Sequence, residues 1–310
     1  MYFINSDTDD PCFNLALEEY LLKNSTEEFF ILSINRTSII SGKHQCVHRE
    51  VNTKFVTENN VPVLRRITGG GTVFHDAGNL NYCFIRNCES GKQIDFPLHT
   101  LPVVYFLKDL GICPYLEGSD IKTEGLKISG NAEHVFRNRV LHHGTLLWNA
   151  SLDLLRNCIR KDTSAYKTRA VASKPSPVIN ISERVKSISS VEEFRMAMAD
   201  HFIKNENALT LNLSQEQKAE ILKIAPKYIS WEWNYAYGPE YEFSKEFNFR
   251  ENSIKCNIAV KDGLIVKCSI EGSSLLSKAS VKLSGCRHMP QDISHFLMQE
   301  FDDFDPYNLF

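Results

Sequence analysis

No apolar run in this 310-residue chain is long enough to cross a bilayer, and no C-x-x-C pair or zinc-type Cys/His spacing occurs. A basic excess is missing too: 35 Lys and Arg stand against 38 Asp and Glu, a formal net charge of -3. That balance argues against the overwhelmingly basic surface of a generic nucleic-acid binder, although local basic patches stay open. Neither nucleic acid nor membrane is an expected partner. Met1 to Leu22 carries Asp7, Asp9, Asp10, Glu18 and Glu19 where a signal peptide would need a basic start and an unbroken apolar centre, so the expected compartment is the cytoplasm. The nine cysteines are scattered, and an odd number cannot all pair internally. They read mostly as reduced, buried small hydrophobes. What is there, 43% hydrophobic and 24% charged residues, is ordinary for a globular protein, and the length favours two domains.

The familiar nucleotide signatures are also absent. No Gly-x-Gly-x-x-Gly spacing opens a dinucleotide fold, and no Gly-Lys-Ser/Thr follows a glycine loop to make a P-loop. In their place stands Arg65-Arg66-Ile67-Thr68-Gly69-Gly70-Gly71-Thr72-Val73-Phe74-His75-Asp76, closed by Asn79. Strand-like apolar runs, Val61 to Leu64 and Tyr82 to Ile85, lead in and out. Three glycines without Cβ atoms let successive backbone N–H groups converge into a nest that suits phosphate oxygens. A plain Gly-rich hairpin would explain a bare triple glycine. The two arginines before it and the His-Asp after it favour a nucleotide site.

A second block, Asp120 to Ala132, reads as two short strands around the turn Glu124-Gly125, with Lys127 just beyond it. The strand Arg139 to Trp148 follows and carries His142-His143-Gly144-Thr145. Alone, Lys127 would be an ordinary surface lysine.

Together the blocks resemble the lipoate-protein ligases of the biotin and lipoate ligase superfamily. Their signature Arg-Arg-x-Ser-Gly-Gly-Gly-Ala-Val-Phe-His-Asp is kept with Thr68 for Ser and Thr72 for Ala. Asn14-Leu15-Ala16-Leu17-Glu18-Glu19, Gly42-Lys43-His44-Gln45, Glu50-Val51-Asn52, the Lys-Ile-Ser-Gly-x-Ala of Lys127 to Ala132 and the His-His-Gly-Thr-Leu-Leu of His142 to Leu147 are similar to further family elements. Ser119-Asp120 replaces the usual Asn-Asp, and Ser173-Lys174-Pro175-Ser176-Pro177 only partly keeps the Ser-Val-Arg-Ser-Arg of the adenylate loop.

The resemblance implies an α/β (α+β) fold. Residues 1–240 would form a catalytic domain on a mixed, largely antiparallel sheet, and residues 246–310 a small α+β accessory domain. The implied reaction activates lipoate with ATP to lipoyl-adenylate, then passes the lipoyl group to a lysine of an acceptor domain. The acceptors would be E2 subunits of 2-oxoacid dehydrogenase complexes or the glycine cleavage H protein. On this reading Arg66, Gly71, Thr72, Val73 and Phe74 border ATP, and Gly70 and His143 line the lipoate site. Lys127 touches both substrates as the catalytic cation, because charge gathers on the α-phosphate oxygens as the carboxylate attacks. Asp120 would hold Mg²⁺, which commonly takes one or two carboxylates plus phosphate oxygens, and Glu19 is a further pocket candidate.

Local patterns fill in the rest. Asp10-Pro11 opens a helix, and Phe29 to Ile34 and Ser38 to Ser41 suggest a hairpin or successive strands. Helical periodicity marks Pro97 to Gly111 and Val191 to Asn205, the latter with Phe194, Met198 and Phe202 on one side. His99, inside the first of these, reads as a solvated or core residue. Lys261-Asp262-Gly263 is a hairpin turn between two late strands. His44 and His48 have no HExxH glutamate and are not read as metal ligands. Two other functions compete: an acyltransferase using Cys113 as nucleophile, and a noncatalytic lipoate binder. Replacing Cys113 with Ala is expected to leave ligation intact in an acceptor-labelling assay; loss of labelling would favour the transferase.

Overall fold

The computed structural model describes residues 1–89 and 94–310. They form two compact units, one of Met1–Lys43, Pro62–Arg156 and Lys174–Ile229, the other of His44–Val61, Asn157–Ser173 and Ser230–Phe310. In chain order the strands are β1 (Tyr2–Asn5), β2 (Phe29–Ile34), β3 (Ser38–Ser41), β4 (Val63–Arg65), β5 (Val73–His75), β6 (Asn79–Asn87), β7 (Tyr115–Glu117), β8 (Asp120–Thr123), β9 (Leu126–Phe136) and β10 (Arg139–Leu147). Next, β11 (Tyr166–Thr168) belongs to the second unit, and β12 (Leu209–Thr210) returns to the first.

Among the described residues, eight strands of the first unit make one sheet in the order β12-β1-β2-β6-β10-β9-β8-β7. The β1 strand runs parallel to β12 and β2, and the remaining neighbours are antiparallel. The sheet is therefore mixed and largely antiparallel, as expected. A three-stranded sheet, β4-β3-β5, carries the glycine loop. Of the two arrangements open for β2 and β3, the hairpin does not form, since they lie in different sheets. The side chain of the linking Asn35 is buried and bonded to Asn14 and His75, and β3 is buried along its length. A chain covered on both faces crosses between sheets instead of turning back at the surface.

One face of the large sheet packs on the helices Phe96–Asp109 and Val191–Asn205. Phe194 stacks on Trp148 with ring centres 4.6 Å apart, and Phe202 lies 4.4 Å from Phe30. Phe194, Met198 and Phe202 are all buried, which is what their helical spacing required. His99 is buried with them. Over β6 and β10 lies the helix Pro11–Asn24, which also packs along Gln215–Ile229. Its first turn is capped by Asp10, whose carboxylate accepts from Cys12 N.

The second unit holds the antiparallel sheet β11-β13-β14-β15, with β13 at Tyr241–Phe249, β14 at Asn252–Lys261 and β15 at Leu264–Glu271. Asp262 and Gly263, with φ of 51° and 72°, make the tight turn read from the sequence. Sequence reading missed β13, although Tyr241, Phe243, Phe247 and Phe249 recur at even spacing along it. No helix among the described residues is long and apolar enough to cross a membrane.

Phe194 and Met196 lie on one helix with opposite fates, the first buried and the second 59% exposed. In urea unfolding, Phe194→Ala should cost about 3 to 5 kcal/mol, and Met196→Ala should stay within about 0.5 kcal/mol of the parent. Equal losses would contradict the packing.

Candidate active site

Glu124 and Gly125 take φ of 51° and 78°, so β8 folds back on β9 through a two-residue turn. The register then slips. Asp120 pairs with Gly130 and Ile121 with Ser129, but Lys122 pairs with Lys127, so one step on β8 matches two on β9. Ile128 is the extra residue, and its side chain is fully buried in the core. In an unbroken strand, residues three apart point to opposite faces. The bulge puts Lys127 on the same face as Gly130. There its Nζ lies 2.9 Å from Asp120 Oδ1, in a pair whose side chains are 23% and 24% exposed. The Lys127 backbone is fixed by bonds to Pro177 O (2.8 Å) and from Ile179 N (3.1 Å).

The glycine loop joins β4 to β5. Arg66 is buried, and its guanidinium donates to Thr68 Oγ1 (2.8 Å), Ile40 O (3.0 Å), Gly71 O (2.8 Å) and Gly69 O. Arg65, also buried, donates to Gly42 O (3.0 Å) and Lys43 O (2.9 Å). The two arginines do stand beside the loop, and both bind backbone carbonyls that shape it. In a trans peptide the N–H points opposite to the C=O. Carbonyls of Gly69 and Gly71 turned onto Arg66 therefore direct the N–H groups of Gly70 and Thr72 the other way. Gly70 takes φ of 83°, a conformation that side chains rarely adopt. Burial lowers the Arg66 pKa to about 10, against the pull of Glu18, so it stays charged at neutral pH.

Thr68 Oγ1 meets His143 Nε2 at 2.8 Å, and His143 Nδ1 meets Glu18 Oε2 at 2.8 Å. A chain of hydrogen bonds thus runs from Arg66 through Thr68 and His143 to the N-terminal helix. His143 pairs in register with Ala132 on β9, and a Cβ built on Gly70 would lie 3.7 Å from the Ala132 Cβ. Ala132 is two residues, about 7 Å, beyond Gly130 on the same face. The Lys127 amine and the glycine loop, far apart in sequence, share one face of β9.

Other expected site residues are placed as follows. Gly71 and Thr72 complete the loop, and Val73 is half-buried at the start of β5. The Phe74 side chain is buried, paired in register with Ile39, so only its backbone can meet a nucleotide. Glu19 is buried among Lys23 Nζ (2.5 Å), Lys227 Nζ (2.8 Å) and Tyr228 OH (2.7 Å), and it ties two helices together. Burial pushes its pKa up, but these partners outweigh burial and leave it below the ordinary glutamate value. Among the described residues no group of three or more His, Cys, Asp or Glu could hold a metal. Asp120 offers a single carboxylate, which fits an ion that completes its shell with phosphate oxygens.

Some contributors were invisible in the sequence. The Asn131 side chain donates to Ser119 O (2.9 Å) and accepts from Tyr82 OH. A Cβ on Gly144 would strike both the Asn131 side chain and the Tyr82 ring. Glycine and asparagine there allow close packing behind the site, a reason that spacing alone cannot carry.

The family model of the lipoyl protein ligase A/B catalytic domain matches residues 10–203. The chain is 35% identical to lipoate-protein ligase 1 of Staphylococcus aureus over all of its own length and 96% of that protein. It is similar to P. falciparum LipL1, crystallised in complex with lipoate, with a TM-score of 0.64 and 25% identity over 99% of this chain and 96% of that one. A lipoate-protein ligase A structure with bound ATP shares the fold at a TM-score of 0.64 and 22% identity, covering 75% of this chain and 97% of that one.

His75, at the end of β5, is buried and accepts from Asn35 Nδ2 at 2.9 Å. Burial, reinforced by Arg66 and His143, pushes its pKa down from 6.5 to about 3. The native state refuses a proton that the unfolded chain accepts, so this contribution to stability is present above pH 6.5 and lost as pH falls towards about 3. His99, pushed to about 4 by burial, adds with the same sign. Urea unfolding of His75→Asn should show a pH slope flatter by up to about one proton between about pH 6 and pH 4. An unchanged slope would mean that native His75 binds the proton.

Proposed function

This chain belongs to the lipoate-protein ligase family, and on that premise we propose that it joins lipoate to protein in two steps through lipoyl-adenylate. In the first, a carboxylate oxygen of lipoate attacks the α-phosphorus of ATP; the new O–P bond forms as the bond to pyrophosphate breaks. In the second, a neutral lysine amine of the acceptor attacks the acyl carbon, AMP leaves, and the amine proton passes to solvent. The mixed anhydride supplies the activation, so no enzyme nucleophile is needed. Residues 1–240 hold this chemistry in our reading, and residues 246–310 form an accessory domain.

The observation that carries the proposal is the convergence of the Lys127 ammonium and the glycine loop on one face of β9. Both reactants are anionic and repel each other. A compact cation between carboxylate and α-phosphate offsets that repulsion, most strongly as charge gathers in the transition state. The outward N–H groups of the loop, together with Gly71, Thr72 and the backbone of Val73 and Phe74, border ATP. Arg66 keeps those groups in place from behind. Gly70 and His143 face lipoate, with His143 oriented by Glu18. Asp120 would hold Mg²⁺ with phosphate oxygens, where the ion would offset phosphate charge. The lipoate and ATP bound in the structures of related ligases support these substrates. The acceptors fitting this chemistry are E2 lipoyl domains and the H protein, which present a lysine on a small domain.

Lys127→Ala should lower lipoate-dependent pyrophosphate release by about two to three orders of magnitude, with the circular dichroism spectrum unchanged. Parent-like turnover in that variant would remove Lys127 from the chemistry. No lipoate-dependent pyrophosphate from the unaltered chain would refute the ligation mechanism itself.

A further inference from the structure

Glycine weakens the interior of a strand, so one that persists there needs a reason. Gly130 lies inside β9, and its φ is outside the left-handed region, so backbone freedom is not that reason. The reason is steric. A Cβ on Gly130 would lie 2.9 Å from Lys127 Nζ, 3.0 Å from Lys127 Cε and 3.8 Å from Asp120 Oδ1. The space that a side chain would fill is taken by the end of the lysine.

We infer that Gly130 is a positioning residue, a flat seat over which Lys127 lies along β9 so that its ammonium points towards Ala132 and the glycine loop. Three features converge on the seat. The bulge at Ile128 brings Lys127 to the face of Gly130. Asp120, paired in register with Gly130, holds the ammonium at 2.9 Å. The bare Cα lets the four-carbon stem lie down instead of lifting towards solvent. Desolvation offsets much of the attraction in a largely buried ion pair, which makes the pair weak evidence for stability, so we assign the Asp120 contact to aiming the amine. The obstructed atoms are the far end of a flexible side chain, so a methyl group would move the lysine and leave the strand intact. A displacement of about 1 Å at a reacting centre can cost about 100-fold in rate.

The inference rests on the reading that Lys127 serves adenylation, and Gly130→Ala tests it. We expect a melting temperature no lower than the parent's by more than about 3 °C, KM values for ATP and lipoate within about threefold, and kcat for pyrophosphate release lower by about 10- to 100-fold. In a Lys127→Ala background, Gly130→Ala should then change kcat less than about twofold, because the group that it displaces is gone. A structural role would instead give similar losses in both backgrounds, and that result, or parent-like kcat in the single variant, would overturn the inference. A readout without turnover is the ¹⁵N-edited Lys127 Nζ resonance of the ligand-free chain, assigned by its loss in Lys127→Ala. It should move in Gly130→Ala; an unmoved resonance would also overturn the seat. A moved resonance, in a protein whose unaltered form releases no lipoate-dependent pyrophosphate, would uphold the seat and sink the ligation reading alone. Should Gly130→Ala fail to fold alone, Gly130→Ala with Lys127→Ala must fold; failure of both would overturn the inference.

Discussion

Hydrogen bonding between β8 and β9 skips Ile128, and burial of that isoleucine in the core keeps the skip in place. Shifting the pairing by one residue would require moving a fully buried aliphatic side chain to the opposite face, at a cost of roughly 1.5 to 3 kcal/mol in lost burial alone. The hydrophobic core on one side of the sheet thereby fixes the aim of a charged group on the other. Everything proposed for Lys127, including its pairing with Asp120 and its seat on Gly130, depends on this register.

A second constraint is the burial of Arg66. Taking a guanidinium out of water is unfavourable unless its donors are met, and here they are met by carbonyls of Ile40, Gly69 and Gly71 and by Thr68. The loop is the shape that satisfies the arginine. Its outward N–H groups are a consequence of planar peptides whose carbonyls face inward. Thr68 then passes the constraint to His143 and Glu18, so the N-terminal helix and the glycine loop are held by one hydrogen-bonded chain. A loop fixed before its ligand arrives needs little reorganisation during reaction, which is the condition under which oriented dipoles stabilise developing charge.

Much of the scaffold was legible from local patterns. Phe194, Met198 and Phe202 announce a helix with one buried side, and Glu124-Gly125 and Asp262-Gly263 announce turns that need positive φ. Both cues act over a few residues, so sequence spacing reports them. The link at Asn35 was ambiguous because a short polar break suits both a surface turn and a buried crossing. The β13 strand was missed, although its alternation was present.

By itself, the sequence determined the helices, the turns and the kinds of group available for chemistry: a run of glycines, a lysine beyond a hairpin, a carboxylate before it. Only the tertiary structure decided that Arg66 faces inward, that Ile128 is the residue left out of the ladder, and that Gly130 is a glycine for want of room. Periodicity and turn preference are set by neighbours along the chain, whereas strand register, burial of a charge and contact across a sheet are set by residues that folding brings together.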